Sequence, residues 1–168
     1  MPRAYLSIGS NLGDRINYIN KAIEKLKQNN IKIIKSSNII ETEPYGYKEQ
    51  GKFLNMAVEI DSDLEPFELM KLISRIESEL GRIRTVRWGP RVIDIDIIFY
   101  DSLIINEPDL KIPHPDMQNR FFVLKPLQEI APDFVHPVLK KTITELLENL
   151  NSEGKSEVWS LNLKVRTN

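Results

Sequence analysis

Cysteine is absent from all 168 residues. This excludes disulfides, a thiolate nucleophile and Cys-ligated zinc or iron-sulfur centres, and it suits a reducing compartment, so a cytoplasmic address is expected. An excess of one charge is missing as well. With 23 Lys and Arg against 24 Asp and Glu the net charge is -1, so no global field draws the chain to nucleic acid or to an anionic membrane surface. Any basic site must be local. Apolar runs such as Ile97 to Tyr100 fall far below the ~18 residues of a membrane span, and the opening Met1 to Leu6 contains no signal-peptide core. What is present, 41% hydrophobic and 28% charged residues with 7 Gly and 10 Pro, is the composition of a globular domain. At this length a single domain over 1–168 is expected, burying roughly 70% of the surface that the unfolded chain exposes.

Arg3 to Ile8 predicts a strand, which Gly9-Ser-Asn-Leu-Gly-Asp14 ends in a turn that offers Asp14 as a helix N-cap. Ile16, Ile19, Ile23 and Leu26 then recur at helical spacing until Asn29-Asn30. Ile31 to Thr42 is expected to be one strand, Glu43 to Gly51 a loop, and Phe53 to Ile60 a second strand antiparallel to the first. Pro66 suits the first turn of a second helix with the stripe Phe67, Met70, Ile73 and Ile76, stopped at Gly81. Val92 to Tyr100 completes the order β-α-β-β-α-β. That order predicts an α+β fold with a ferredoxin-like core, helices on one sheet face and the other face free for a site. C-terminal additions are expected: a hairpin near Leu103 to Ile105, helices over Asn119 to Ile130 and Thr142 to Leu150, and an edge strand over Glu157 to Arg166.

Two features carry chemistry. Asp94 and Asp96 sit one pleat apart on an otherwise apolar strand, so their carboxylates share a face and suit hard cations. The same alternation also suits two Asp on the wet side of a half-exposed sheet. Gly81 to Arg91, just before them, packs Arg82, Arg84, Arg87, Arg91 and Trp88 into eleven residues. Guanidinium forks match phosphate oxygens, and Trp closes over flat rings; a loop whose Arg residues merely balance the Asp pair is the alternative. His114 in Pro113-His-Pro115, with Arg120 six residues on, is a weaker signal. Gly46 to Lys52 imitates a P-loop, but Phe53 stands where the magnesium-binding hydroxyl belongs and a strand follows instead of a helix. Gly9 to Asp14 is taken as a turn and cap, not a phosphate cradle.

Ile8-Gly-Ser-Asn-Leu-Gly-Asp14, Phe53-Leu-Asn55, Glu77 with Leu80-Gly-Arg-Ile-Arg84, Arg87-Trp-Gly-Pro-Arg-Val-Ile-Asp-Ile-Asp96 and Pro113-His-Pro115 together resemble the 6-hydroxymethyl-7,8-dihydropterin pyrophosphokinases of folate biosynthesis. The resemblance runs in order from about Ala4 to Pro137. It implies transfer of the pyrophosphoryl group of ATP to 6-hydroxymethyl-7,8-dihydropterin, releasing AMP, with two Mg²⁺ ions on Asp94 and Asp96. Arg82 and Arg91 would serve the chemical step with the two Asp. Glu77, Arg84, Arg87, Trp88, Ile97, Leu110, Lys111, His114 and Arg120 would bind ATP. Thr42, Tyr45, Phe53, Asn55, Trp88 and Phe122 would hold the pterin, its rings sandwiched and its amide edge met by Asn55. The resemblance also suggests association with other folate-pathway enzymes.

The chain departs from the family pattern in places: Thr85 replaces a basic residue of many relatives, Ser74 a longer polar one, and Phe53 a Tyr of some members. Two other readings compete. A palm-like nucleotidyl-transfer enzyme also places two-metal carboxylates on such a sheet but releases pyrophosphate. An RNA-binding sheet domain would need an aromatic strand signature that is not found here.

Overall fold

The computed structural model describes residues 2–42, 52–82 and 91–152, and the backbone of 158–164. Strand β1 (Arg3–Ser10) passes through a turn into α1 (Arg15–Gln28), where the Asp14 carboxylate accepts a hydrogen bond from the Asn17 amide at 3.2 Å. This is the expected N-cap. The buried face of α1 is Ile19, Ala22, Ile23 and Leu26, and that of α2 (Pro66–Glu79) is Leu69, Leu72, Ile73 and Ile76. Both follow i, i+3, i+4, i+7, the stripe that one sheet face can cover. Ile16 and Phe67, in the first turns and expected inside, are exposed.

The single strand expected over Ile31 to Thr42 is two, β2 (Lys32–Ser36) and β3 (Asn38–Thr42). Ser37 causes the break. Its amide donates to the Ala57 carbonyl at 2.9 Å, but the Ala57 amide donates to Ser37 Oγ at 2.8 Å, so a hydroxyl stands where the ladder would use a carbonyl. The Glu129 carboxylate then accepts from the freed Asn38 amide at 3.0 and 3.1 Å. Both halves still pair with β4 (Phe53–Asp61).

With β5 (Asp94–Tyr100) and β8 (Val158–Lys164) the sheet runs β5-β1-β4-β3-β8, every pairing antiparallel, and β2 also borders β4. The backbone of β8 takes the edge position expected for it. The extra hairpin is β6 (Ile105–Glu107) and β7 (Leu110–Ile112), later than expected. Leu103 and Ile104 are exposed, whereas Leu110 and Ile112 are buried and dock the hairpin on the core.

Helices α1 and α2 cover one sheet face through Leu6, Ile8, Met56, Val58 and Ile60. The opposite face is not free. A 3-10 turn at Met117–Asn119, α3 (Phe121–Ile130) and α4 (Ile143–Ser152) bury a second cluster there, in which Tyr5, Ala57 and Phe99 meet Val123, Leu127 and Leu146. The reason lies in the strands: this face is apolar at Tyr5, Ala57 and Phe99 but polar at Ser7, Asn55, Asp94 and Asp96, so helices cap the first part and leave the second. No helix among the described residues is long and apolar enough to cross a membrane.

Candidate active site

The register aligns two cross-sheet rows on the polar part of that face. Asn55 lies opposite Gly9 and Gly9 opposite Asp94; one step along, Ala57 lies opposite Ser7 and Ser7 opposite Asp96. Directly opposed residues in antiparallel strands share a face, so Asn55, Asp94 and Asp96 project to the same side. A cleft of about 440 Å³ opens over the two Asp, floored by β5 and walled by α2, β7 and the 113–116 turn.

Ten of the expected site residues line this one cleft: Glu77, Arg82, Arg91, Asp94, Asp96 and Ile97 on the strand and helix side, and Leu110, Lys111, His114 and Arg120 across from it. Arg82 Nη1 lies 3.2 Å from Asp94 Oδ1, and Arg91 Nη1 lies 3.0 Å from Asp94 Oδ2. The alternative in which Arg groups balance the Asp pair is thus realised at Asp94. Among the described residues no Arg ion pair is made at Asp96, whose carboxyl is pushed up to about 8 by burial, then by Asp94 and Glu77, against weaker relief from Arg120 and Arg91. Two like charges desolvated together favour a bound cation.

Glu77 is more than a lining residue. Its Oε2 accepts from the Ile95 amide at 2.8 Å and from Arg82 Nη1 at 2.6 Å, tying helix α2 to the strand segment between the two Asp. Burial, the largest influence, raises its pKa despite those donors. On the opposite wall His114 is held neutral, its pKa lowered to about 4 by burial and then by Arg120. His114 Nδ1 accepts from the Asp116 amide at 3.3 Å, which leaves Nε2 as the protonated nitrogen. Arg120 pairs through Nε with Asp116 Oδ2 at 3.2 Å, and its guanidinium lies 5.8 Å from the centre of the Phe122 ring.

The expected pterin residues divide. Thr42 is opposite Phe53, and Asn55 is opposite Ile40. Thr42 is 2% and Asn55 4% exposed, yet Thr42 Oγ1 and Asn55 Nδ2 have no hydrogen-bond partner among the described residues. Buried polar groups are ordinarily paired; two orphans two rungs apart, and so on one face of the sheet, are what a polar ligand would satisfy. Phe122 does not line the cleft but reaches it through Arg120. Tyr45, Arg84, Thr85, Arg87 and Trp88 lie outside the described residues, as does the Glu43 to Gly51 loop. Ser74, one of the noted departures, lines the cleft.

Magnesium is usually held by one or two carboxylates plus phosphate oxygens, not by an all-protein cage. Among the described residues no group of three or more His, Asp and Glu could enclose a metal, and the Asp94 and Asp96 oxygens facing a cleft fit the former pattern. Sequence reasoning passed over two residues that border the site, Gly9 between Asn55 and Asp94 and Asn11 on the Arg91 backbone. Both sit in the segment taken as a mere turn and cap, and their signal was a small residue and an amide placed where strand β1 runs beside the Asp strand.

Comparison with known proteins identifies the family. The family model described as 7,8-dihydro-6-hydroxymethylpterin-pyrophosphokinase (HPPK) matches residues 5–132. The chain is 51% identical over 129 residues to the 2-amino-4-hydroxy-6-hydroxymethyldihydropteridine pyrophosphokinase of Bacillus subtilis, covering 76% of this chain and 77% of that protein. It is 44% identical over 145 residues to the pyrophosphokinase of the same name from Aquifex aeolicus, covering 86% and 90%. It is also 47% identical over 150 residues to folic acid synthesis protein FOL1 of Dictyostelium discoideum; that match covers 89% of this chain and 23% of FOL1. A crystal structure of a doubly substituted Plasmodium falciparum HPPK-DHPS with pterin and p-hydroxybenzoate superposes with a TM-score of 0.76 over 96% of this chain and 46% of that one, at 18% identity, a likeness of fold alone.

Proposed function

The chain belongs to the 7,8-dihydro-6-hydroxymethylpterin-pyrophosphokinase family, and from that premise we infer that its cleft transfers the pyrophosphoryl group of ATP to the hydroxymethyl oxygen of 6-hydroxymethyl-7,8-dihydropterin, a step of folate biosynthesis that releases AMP. The observation that carries this reading is the row Asn55, Gly9, Asp94. It spans two strand spacings, roughly 10 Å, enough for a bicyclic ring whose amide edge meets Asn55 while its hydroxymethyl arm points to the two Asp. The strand order and the β-α-β-β-α-β succession support the ferredoxin-like core expected from the sequence.

In the transfer an O–P bond forms between the hydroxymethyl oxygen and the β-phosphorus of ATP, the bond from that phosphorus to the α-phosphate oxygen breaks, and AMP leaves with the pair of electrons. The hydroxymethyl proton passes to solvent. Asp94 and Asp96 would hold two Mg²⁺ ions, whose chemistry is to offset charge on the attacking and leaving oxygens. Arg82 and Arg91, now on Asp94, exchange that carboxylate for phosphate oxygens as the triphosphate enters; both are forks suited to either partner. His114 donates from Nε2–H to phosphate, and because it is neutral it adds no charge that would have to be desolvated. Arg120 meets phosphate on one side while its other face rests near Phe122, a wall of the pterin pocket. Thr42 Oγ1 and Asn55 Nδ2 receive the pterin's polar edge, and Phe53 and Phe122 its flat faces. Glu77 keeps Arg82 and the Ile95 amide in place beneath the nucleotide.

This reading implies a cytoplasmic single domain over 1–168 that meets its two small substrates without nucleic acid or membrane. The match to part of FOL1 supports association with neighbouring folate-pathway enzymes. Incubation with ATP, Mg²⁺ and 6-hydroxymethyl-7,8-dihydropterin tests the reaction: AMP and the pyrophosphorylated pterin are expected. Free pyrophosphate, with the nucleoside monophosphate retained in the product, would overturn the reading in favour of nucleotidyl transfer.

A further inference from the structure

Asn11 follows the last residue of β1 and is 5% exposed. Its side-chain Oδ1 accepts from the Arg91 amide at 2.7 Å, and its own amide donates to the Arg91 carbonyl at 3.1 Å. A single residue thus satisfies both backbone polar groups of another. The β1–β5 ladder ends at Gly9 opposite Asp94, and Arg91 lies before β5 begins, with no rung of its own. The Asn11 side chain supplies the acceptor that a continued strand would have supplied. The backbone so held belongs to an arginine whose Nη1 lies 3.0 Å from Asp94 Oδ2.

We propose that Asn11 is a positioning residue for the pyrophosphoryl transfer, acting through Arg91. The proposal rests on the functional reading above. An arginine side chain has many rotamers; the Asp94 carboxylate selects among them, and a fixed Cα sets the distance and angle at which the fork can then meet Asp94 and phosphate oxygens beside it. With the backbone released, the fork still reaches ATP in the ground state but meets the developing charge with poorer geometry, and a misplacement near 1 Å is enough to slow a chemical step about a hundredfold. The cap and turn residues Gly13 and Asp14 explain how the chain enters α1; they do not explain why a buried amide at Asn11 faces Arg91.

A double-mutant cycle decides the matter, with kcat and KM for ATP and pterin measured for the wild type, Asn11→Ala, Arg91→Ala and the double variant. Asn11→Ala is expected to lower kcat by roughly 10- to 100-fold and to leave KM for ATP within about 3-fold, the pattern of an interaction used in the transition state. In the Arg91→Ala background the same substitution should cost less than about 2-fold, since residues that act through one another are not additive. Asn11→Asp, which keeps the acceptor, should recover most of the loss. Equal losses in both backgrounds, or a kcat for Asn11→Ala within about 2-fold of wild type, would overturn the proposal. If Asn11→Ala does not fold, Asn11→Ser, whose hydroxyl is too short to reach the Arg91 amide, carries the same cycle and the same criteria. A wild-type protein that forms no AMP would overturn the functional reading and this proposal with it, a result distinct from an active wild type with an additive cycle.

Discussion

A methyl group on Gly9 would lie 2.4 Å from Oδ1 of Asn55. Strand β1 therefore has no side chain at the one position between Asn55, the proposed pterin reader, and Asp94, a proposed metal carboxylate, and the Asn55 amide lies over the bare backbone. Gly9→Ala must displace Asn55 or the strand. The expected outcome is a rise in KM for the pterin of about tenfold or more, the loss of one good hydrogen-bonded contact, with KM for ATP nearly unchanged. Steady-state kinetics with each substrate varied will check this; an equal rise in both constants would instead indicate a general distortion of the sheet.

Asp94→Ala and Asp96→Ala should each reduce turnover by about a hundredfold or more, since stabilising charge at the reacting phosphates is worth several kcal/mol. The fold should survive, because neither carboxylate belongs to an apolar cluster. Circular dichroism beside the rate measurement separates the two effects. A near wild-type rate in both variants would remove the metal assignment.

Arg82 contacts Glu77 at 2.6 Å and Asp94 at 3.2 Å in the resting site, so its fork is already occupied before nucleotide arrives. Its gain in the transition state should exceed its gain on binding ATP. Arg82→Ala is expected to lower kcat by roughly a hundredfold while KM for ATP shifts by a few-fold. A raised KM with kcat unchanged would make Arg82 a ground-state anchor.

The 5.8 Å approach of the Arg120 guanidinium to the Phe122 ring joins a proposed phosphate ligand to a proposed pterin wall. A nonhydrolysable ATP analogue with Mg²⁺ should therefore tighten pterin binding, and the pterin should tighten the analogue by the same factor, a coupling on the order of 1 to 3 kcal/mol. Phe122→Leu should shrink that coupling. Calorimetric titration of pterin with and without analogue measures it, and equal affinities would show the two subsites to be independent.

His136 is 4% exposed, and its Nδ1 accepts from the Val138 and Leu139 amides at 3.1 and 3.0 Å. Burial lowers its pKa below the ordinary value of 6.5. The unfolded chain then binds the proton more readily, so the His136 contribution to stability is complete above pH 6.5 and is lost as pH falls from there to the folded pKa. The slope cannot exceed about 1.4 kcal/mol per pH unit. Urea unfolding at pH 8 and pH 5.5 should show a larger drop for wild type than for His136→Gln; parallel drops would assign the acid sensitivity elsewhere.

Local patterns decided much of this protein before any tertiary contact formed. The 3.6-residue stripes of α1 and α2, the Asp14 cap, the strand alternation through Asp94 and Asp96 and the crowding of Arg residues before them are all written within windows of a dozen residues. Periodicity and capping act over that range. The break at Ser37 was not legible, because it depends on the Ala57 amide, twenty residues away, choosing a hydroxyl over a carbonyl. The covering of the second face was not legible either, since the apolar character of Tyr5, Ala57 and Phe99 is divided among three strands and becomes a surface only once they are in register. The site shows the same division. Sequence sufficed to nominate the carboxylates and the arginines, whose chemistry is intrinsic to their side chains. Only the antiparallel register of β5, β1 and β4 decided that Asn55, Gly9 and Asp94 share one row, and only the end of the β1–β5 ladder put Asn11 against Arg91, because residues far apart in the chain, 80 positions for Asn11 and Arg91, become neighbours through strand pairing alone.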